Sequence, residues 1–243
     1  MLVAAMAMTA MRSQTFAEGA LDAAQQTGKL SYDGYKKVWS DEFNGDSLNR
    51  ADWNVETHEK GWVNNELQEY VDSSENIQVK DGKLIINPVK KVTDGDTGST
   101  KEAASYTSGR VSTQNKQTFI YGRFECRAKV PKGQGYLPAF WLMANDENVY
   151  GQWPRCGEID CMEVMGQETN KAYGTLHYGN PHSQSQGTYT ITDGADFSDD
   201  FHIFTCDWEP GKIIWYVDGV KYHEESEWHS TTVGQGTLAY PAP

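Results

Sequence analysis

Three acids set into an otherwise buried-looking strand constrain this chain more than any other feature. Residues 157–166 read GEIDCMEVMG, which places Glu158, Asp160 and Glu163 among isoleucine, cysteine, methionine and valine. Side chains alternate across a strand, so Glu158 and Asp160 share one face while strict alternation sends Glu163 to the other. One extra residue, a β-bulge around Cys161 and Met162, returns Glu163 to the first face. The result is a strand with an apolar side and an acidic side. It requires a sheet packed on one face and open on the other.

Three neighbouring carboxyl groups repel one another, and such a cluster is useful where two acids must hold different protonation states at one pH. Glycoside hydrolysis with retention is that case. One ionised carboxylate attacks the anomeric carbon and a second donates a proton to the leaving oxygen, the two lying roughly 5–5.5 Å apart. A two-residue step along a strand advances about 6.6–6.8 Å, so outer acids brought into phase by a bulge can converge on one sugar ring. Asp160 between them can hold a shared proton and separate their titrations. A merely solvated strand face would not alternate with Ile159, Cys161 and Met162, which mark the opposite face as buried.

From Lys36 onward the chain reads as short strands between turn signals, with almost no helical periodicity. The clearest runs are 84–89, 119–130, 139–143, 159–164, 173–178, 203–208 and 213–217. Asp81-Gly82 and Asp218-Gly219 mark tight hairpin turns, and residues 91–104 are a polar loop. Strands at this spacing predict an all-β sandwich of two antiparallel sheets. Residues 1–35 differ in kind, with a short apolar run at 2–11, then Arg12, then an alanine-containing polar stretch that makes a brief helix or none. They read as a signal remnant or linker outside the fold, leaving 36–243 as the domain.

The acidic strand resembles the signature of glycoside hydrolase family 16, E-I-D-x-M-E, here Glu158-Ile159-Asp160-Cys161-Met162-Glu163 preceded by Trp153-Pro154 and Gly157. Further matches are SDEFNG (40–45), NNELQEY (64–70), TSGRVST (107–113) and YGRFECRAKVPKGQG (121–135). They continue with PAFWLM (138–143), GTLHYG (174–179) and FHIFTCDWEPGKIIWYVDG (201–219). The resemblance runs from about residue 36 to the end. It implies a concanavalin-like β-jelly roll with a concave substrate groove. Within the family the six-residue bulged motif resembles the laminarinase-like, agarase and carrageenase branches.

The resemblance further implies a retaining endo-glycosidase acting on β-1,3-glucan or mixed β-1,3-1,4-glucan, with Glu158 as nucleophile, Glu163 as general acid/base and Asp160 assisting. Alternatives are another polysaccharide, such as agarose or carrageenan, and a non-hydrolytic β-glucan-binding protein. Few basic residues flank the motif to suit a sulfated substrate, and retention of all three acids argues against binding alone. No organic cofactor is required, because carboxylates carry the chemistry. Many relatives hold a structural calcium on the convex face, partly through a terminal strand. Relatives continue past the equivalent of Pro243 with further strands, so the chain is expected to lack its closing strands.

Eight tryptophans and thirteen tyrosines exceed what a core needs, and sugar rings stack on exposed aromatic planes. Trp153 is the best platform, Trp141 the next, while Trp208 and Trp215 lie in hydrophobic runs suited to the core. By resemblance Asn65, Arg110 and His177 hydrogen-bond sugars near the cleavage point, with Glu66 supporting them. The plainer reading of Arg110 is a structural ion pair. Many relatives carry tryptophan where Leu137 stands; leucine offers no flat face, and Tyr136 is placed to substitute.

Acids outnumber bases by 34 to 21, a formal charge of −13, which makes nucleic acid and anionic membranes poor partners and leaves a neutral polysaccharide acceptable. No eighteen-residue apolar stretch exists to span a membrane. Secretion is the expected localisation. Cys126, Cys156, Cys161 and Cys206 lack metal-type spacing. They are expected mostly as free thiols, with Cys161 pointing into the core.

Overall fold

Asp-Gly pairs close two hairpins where the sequence places them. Asp81 and Gly82 have φ of 52° and 67°, and Asp218 and Gly219 have 49° and 82°, the left-handed pair that a two-residue hairpin loop needs. The computed structural model describes residues 7–11, 32–91, 105–232 and 236–239. Strands dominate it, with a four-residue helix at Glu147–Tyr150.

The first strands are β1 (Ala7–Met11) and β2 (Tyr35–Ser40). Next come β3 (Asn54–Val55), β4 (Gln68–Tyr70), β5 (Ile77–Val79), β6 (Leu84–Ile86), β7 (Val89–Lys91), β8 (Ser105–Ser108) and β9 (Val111–Ser112). Then follow β10 (Gly122–Ala128), β11 (Ala139–Met143), β12 (Glu158–Glu163), β13 (Lys171–Tyr178) and β14 (Ser183–Thr190). The last are β15 (His202–Glu209), β16 (Lys212–Val217), β17 (Val220–Glu225), β18 (His229–Thr232) and β19 (Gly236–Ala239). Two compact units result, one around Glu42–Thr118 and the other from Ala5–Asp41 with Phe119–Pro243.

The larger unit is a sandwich. A six-stranded sheet runs β17-β16-β15-β10-β1-β2 and a four-stranded sheet runs β11-β12-β13-β14, all paired antiparallel. The sheets meet where β12 approaches β15 and β14 approaches β17. Phe140, Ile159, Cys161, Met162, Leu176, Phe204, Cys206, Trp215 and Val217 are buried in this unit, and their transfer from water is the main stabilising term. All four cysteines are free, and Cys126, Cys161 and Cys206 are buried. Trp215 fills the core as expected, while Trp208 is half-buried against Tyr121 and Phe124.

The outer face of the six-stranded sheet buries a polar layer instead. Arg123 donates through Nε and Nη2 to the two carboxylate oxygens of Asp207, both at 2.6 Å. Its guanidinium lies 4.3 Å from the centre of the Tyr35 ring. Tyr32 donates to Glu125 at 3.0 Å. Residues 1–35 are therefore not wholly outside the fold. Ala7–Met11 lies between β10 and β2, a strand whose sequence, AMTAM, mixes small and flexible residues too evenly to leave a period-2 signal.

The smaller unit holds short pairings: β3 with β9, β5 with β6, and β7-β8-β4 with β4 and β8 parallel. The run 84–89, expected as one strand, splits into β6 and β7 around Asn87 and Pro88, because proline has no N–H to give to a ladder. Most of the predicted loop at 91–104 lies outside the described residues, as does the polar stretch after Arg12.

Candidate active site

The register of β12 carries an extra residue on both sides. Against β11, Phe140 faces Met162 and Trp141 faces Asp160, while against β13, Asp160 faces Thr175 and Glu163 faces Tyr173. Cys161 and Met162 thus occupy the place of one residue, the β-bulge the spacing requires. Directly paired residues share a face. Trp141 and Met143 on β11, Glu158, Asp160 and Glu163 on β12, and Tyr173, Thr175 and His177 on β13 therefore line one face of the four-stranded sheet. Cys161 and Met162 are completely buried behind it.

A bulge disturbs the ladder and leaves backbone groups to be satisfied elsewhere. Trp215 of β16 does this from the opposite sheet, its indole Nε1–H donating to the carbonyl oxygen of Asp160 at 2.9 Å. Gly174 makes the approach feasible. A Cβ there would lie 2.4 Å from both the Trp215 ring and the Tyr222 hydroxyl.

Asp160 is 2% exposed. Burial, then the charge of Glu163, pushes its carboxyl well above the usual carboxylate range. Burial and the charge of Asp160 push Glu158 up to about 7, against a downward pull from His177. Burial also raises Glu163, with His177 opposing and Glu158 adding to the rise. The three groups together therefore carry fewer than three charges near neutrality. Asp160 shares a side-chain hydrogen bond with Glu158.

His177 Nε2 lies 3.2 Å from Asp160 Oδ2, off the line of a well-formed hydrogen bond, and Oδ2 has no other partner. On its far side His177 Nδ1 is 2.9 Å from Nε2 of His182. Trp153, 44% exposed in the turn before β12, sits 6.1 Å from the His177 ring and 5.0 Å from that of His182. Tyr136 is exposed beside Leu137, which is only half so. Glu158, Asp160 and His177 each present one ligand atom within 4.8 Å of the others, a spacing that suits a shared proton as well as a cation. Among the described residues no second such group gathers.

The remaining candidates lie in the smaller unit. Arg110 donates through Nε to Glu56 Oε2 at 2.5 Å. Its guanidinium also lies 5.1 Å from the centre of the Trp62 ring, and Trp62, 47% exposed, stacks on His58 at 3.5 Å. Burial alone would raise Glu56, but Arg110 and neighbouring hydrogen bonds outweigh it and hold the carboxyl below its usual range. Glu66 accepts from Tyr70 Oη at 2.9 Å and from Gln68 Nε2 at 3.0 Å. Asn65 stands beside it with φ of 51°, as does Asn64, a left-handed pair that turns the chain sharply. Glu56, His58, Trp62 and His182 were not singled out from the sequence. Only Trp62, just ahead of NNELQEY, offered a signal there.

Residues 64–242 match the sequence model of glycosyl hydrolases family 16, and the chain belongs to that family. It is 39% identical over 213 residues to glucan endo-1,3-beta-glucosidase A1 of Niallia circulans, covering 82% of this chain and 31% of that protein. It is 44% identical over 192 residues to the glucan endo-1,3-beta-glucosidase of Cryptopygus antarcticus, covering 77% and 68%. The solved endo-beta-1,3-glucanase of Pyrococcus furiosus matches with a TM-score of 0.68 at 36% identity, over 81% of this chain and 77% of that one.

Proposed function

We propose that this chain is a retaining, endo-acting glycoside hydrolase of laminarinase type that cleaves β-1,3-glucan, with mixed β-1,3-1,4-glucan as a second substrate. The observation that carries the reading is the extra residue in β12, which gathers Glu158, Asp160 and Glu163 on the open face of one sheet. The names of the relatives agree with it.

Asp160, the most buried of the three, is the cheapest to keep neutral. A proton held there removes its repulsion from Glu158 and gives Glu158 a hydrogen-bond donor. Glu158 is then ionised and attacks the anomeric carbon, while Glu163, raised by burial, protonates the departing oxygen. In the second half Glu163 takes a proton from water, which opens the glycosyl–Glu158 ester. No organic cofactor enters. Trp141, Trp153 and His177 border the acids and would hold the sugar ring; for Asn65, Glu66 and Arg110 of the smaller unit, a role in binding sugar hydroxyls rests on the family resemblance.

Stereochemistry tests the assignment. Glu158→Ala should lower laminarin turnover by several orders of magnitude, and azide with an activated β-glycoside should then give the α-glycosyl azide. A β-azide would make Glu158 the acid/base. Deleting Met162 should abolish turnover by turning Glu163 to the other face, and a folded deletion variant with full activity would overturn the bulge argument. Failure of the wild-type chain to cleave laminarin, lichenan, agarose or carrageenan would leave binding as its function.

A further inference from the structure

His182 lies outside the motifs that point to the acids, yet its Nε2 lies 2.9 Å from the outer nitrogen, Nδ1, of His177. The proton count along this line is restrictive. A neutral imidazole carries one N–H, so each ring nitrogen is either a donor or an acceptor. If the proton of His177 sits on Nδ1, then Nε2 is a bare acceptor turned toward Asp160 Oδ2. That buried oxygen, which makes no well-formed hydrogen bond, then faces a second lone pair. If the proton sits on Nε2, that N–H lies 3.2 Å from Oδ2 and faces it with a positive edge, short of a straight hydrogen bond, and Nδ1 needs a donor of its own. His182 Nε2 at 2.9 Å is placed to be that donor, with the rest of its ring exposed to water.

We propose that His182 is a positioning residue: its Nε2–H donates to Nδ1 of His177, fixes His177 as the Nε2–H tautomer, and thereby sets an N–H rather than a bare lone pair beside Oδ2 of Asp160. With the N–H edge of His177 turned toward Oδ2, the proton that Asp160 shares with Glu158 is left on Oδ1, where it stabilises the ionised nucleophile. The chain of contacts sets which oxygen of a buried acid carries a hydrogen, without His182 touching the sugar. Trp153, with its ring centre 5.0 Å from that of His182, holds the outer imidazole in place.

The inference rests on the hydrolytic reading above, and its test separates the two. Nitrogen-15 chemical shifts of the His177 ring, measured without substrate in the full chain at the assay pH, report the tautomer directly. The expected result is a protonated Nε2 and a bare Nδ1. In His182→Phe, which keeps a ring against Trp153 and removes the donor, His177 should move to the Nδ1–H form or a mixture. Turnover of laminarin should fall about tenfold with KM changed less than twofold, since the lost contact acts on the nucleophile. His182→Gln, with an amide N–H in similar reach, should recover the Nε2–H tautomer and most of the turnover. A wild-type His177 found as the Nδ1–H tautomer, or doubly protonated, would overturn the proposal. An unchanged tautomer in His182→Phe would overturn it too. A wild type without hydrolytic activity but with the expected tautomers would overturn only the hydrolytic reading.

Discussion

Two regions of the larger unit bury carboxylates on neighbouring sheets and treat them in opposite ways. On the outer face of the six-stranded sheet, Asp207 is closed in with Arg123, the side chains 1% and 0% exposed and joined by two hydrogen bonds. On the open face of the four-stranded sheet, Asp160 is as deeply placed, but its nearest companions are two more acids, with His177 the only nearby cation-former among the described residues. The paired acid is spent on structure. The unpaired ones keep raised pKa values, and that unresolved repulsion is the reactive resource.

Breaking the closed pair should have the largest effect on stability. Arg123→Met leaves Asp207 buried without its partner and should cost about 3–5 kcal/mol, read as a lower melting temperature and denaturant midpoint. A loss below about 1 kcal/mol would mean that the pair is not the closed unit described. Activity per folded molecule should be little altered.

Easing the open cluster should act the other way. Glu158 rises from 4.5 to about 7 on folding, so between those values the native state holds a proton that the unfolded chain has released. The associated stability is fully present below about pH 4.5 and is lost as pH rises through about 7. Glu158→Gln removes that loss. It should match wild type near pH 4 and exceed it by about 3 kcal/mol at neutral pH, while abolishing turnover. A constant difference across this range would refute the assigned repulsion.

The smallest stability effect is expected at Trp153, which lies at the surface beside the cluster. Trp153→Ala should change stability by less than about 0.5 kcal/mol and raise KM for laminarin several-fold. A large fall in melting temperature would instead make Trp153 part of the packing.

The bulge was legible because acids and apolar residues obey different faces: Ile159, Cys161 and Met162 had to go inward, and only an extra residue lets Glu163 follow Asp160. Strands β11, β12 and β13 were readable for the same reason. Strand β14 was not. Its sequence SQSQGTYT has no apolar alternation, because three of its inward positions, Ser183, Ser185 and Gly187, are small and only Tyr189 is large. Ser185 Oγ contacts His223 Nε2 at 3.2 Å, and a Cβ on Gly187 would lie 2.3 Å from the same side chain. His182 was silent as well, since a histidine in a turn acquires meaning only when the hairpin folds it onto His177. Glu56 likewise becomes visible only when β3 pairs with β9 and brings it to Arg110.

Gly174 has a consequence for anyone wishing to transplant this chemistry. The six-residue acidic strand is not a portable cassette, because its kink is secured by an indole from another sheet that reaches it only across a residue without a side chain. A host receiving β12 alone would have the acids but no clamp. Conversely, a single methyl added at Gly174 would act as a remote lesion, displacing Trp215 and disturbing the carboxyl geometry from inside the core. Surveys of mutational tolerance should therefore find this glycine as intolerant as the acids themselves, although it would never contact a sugar.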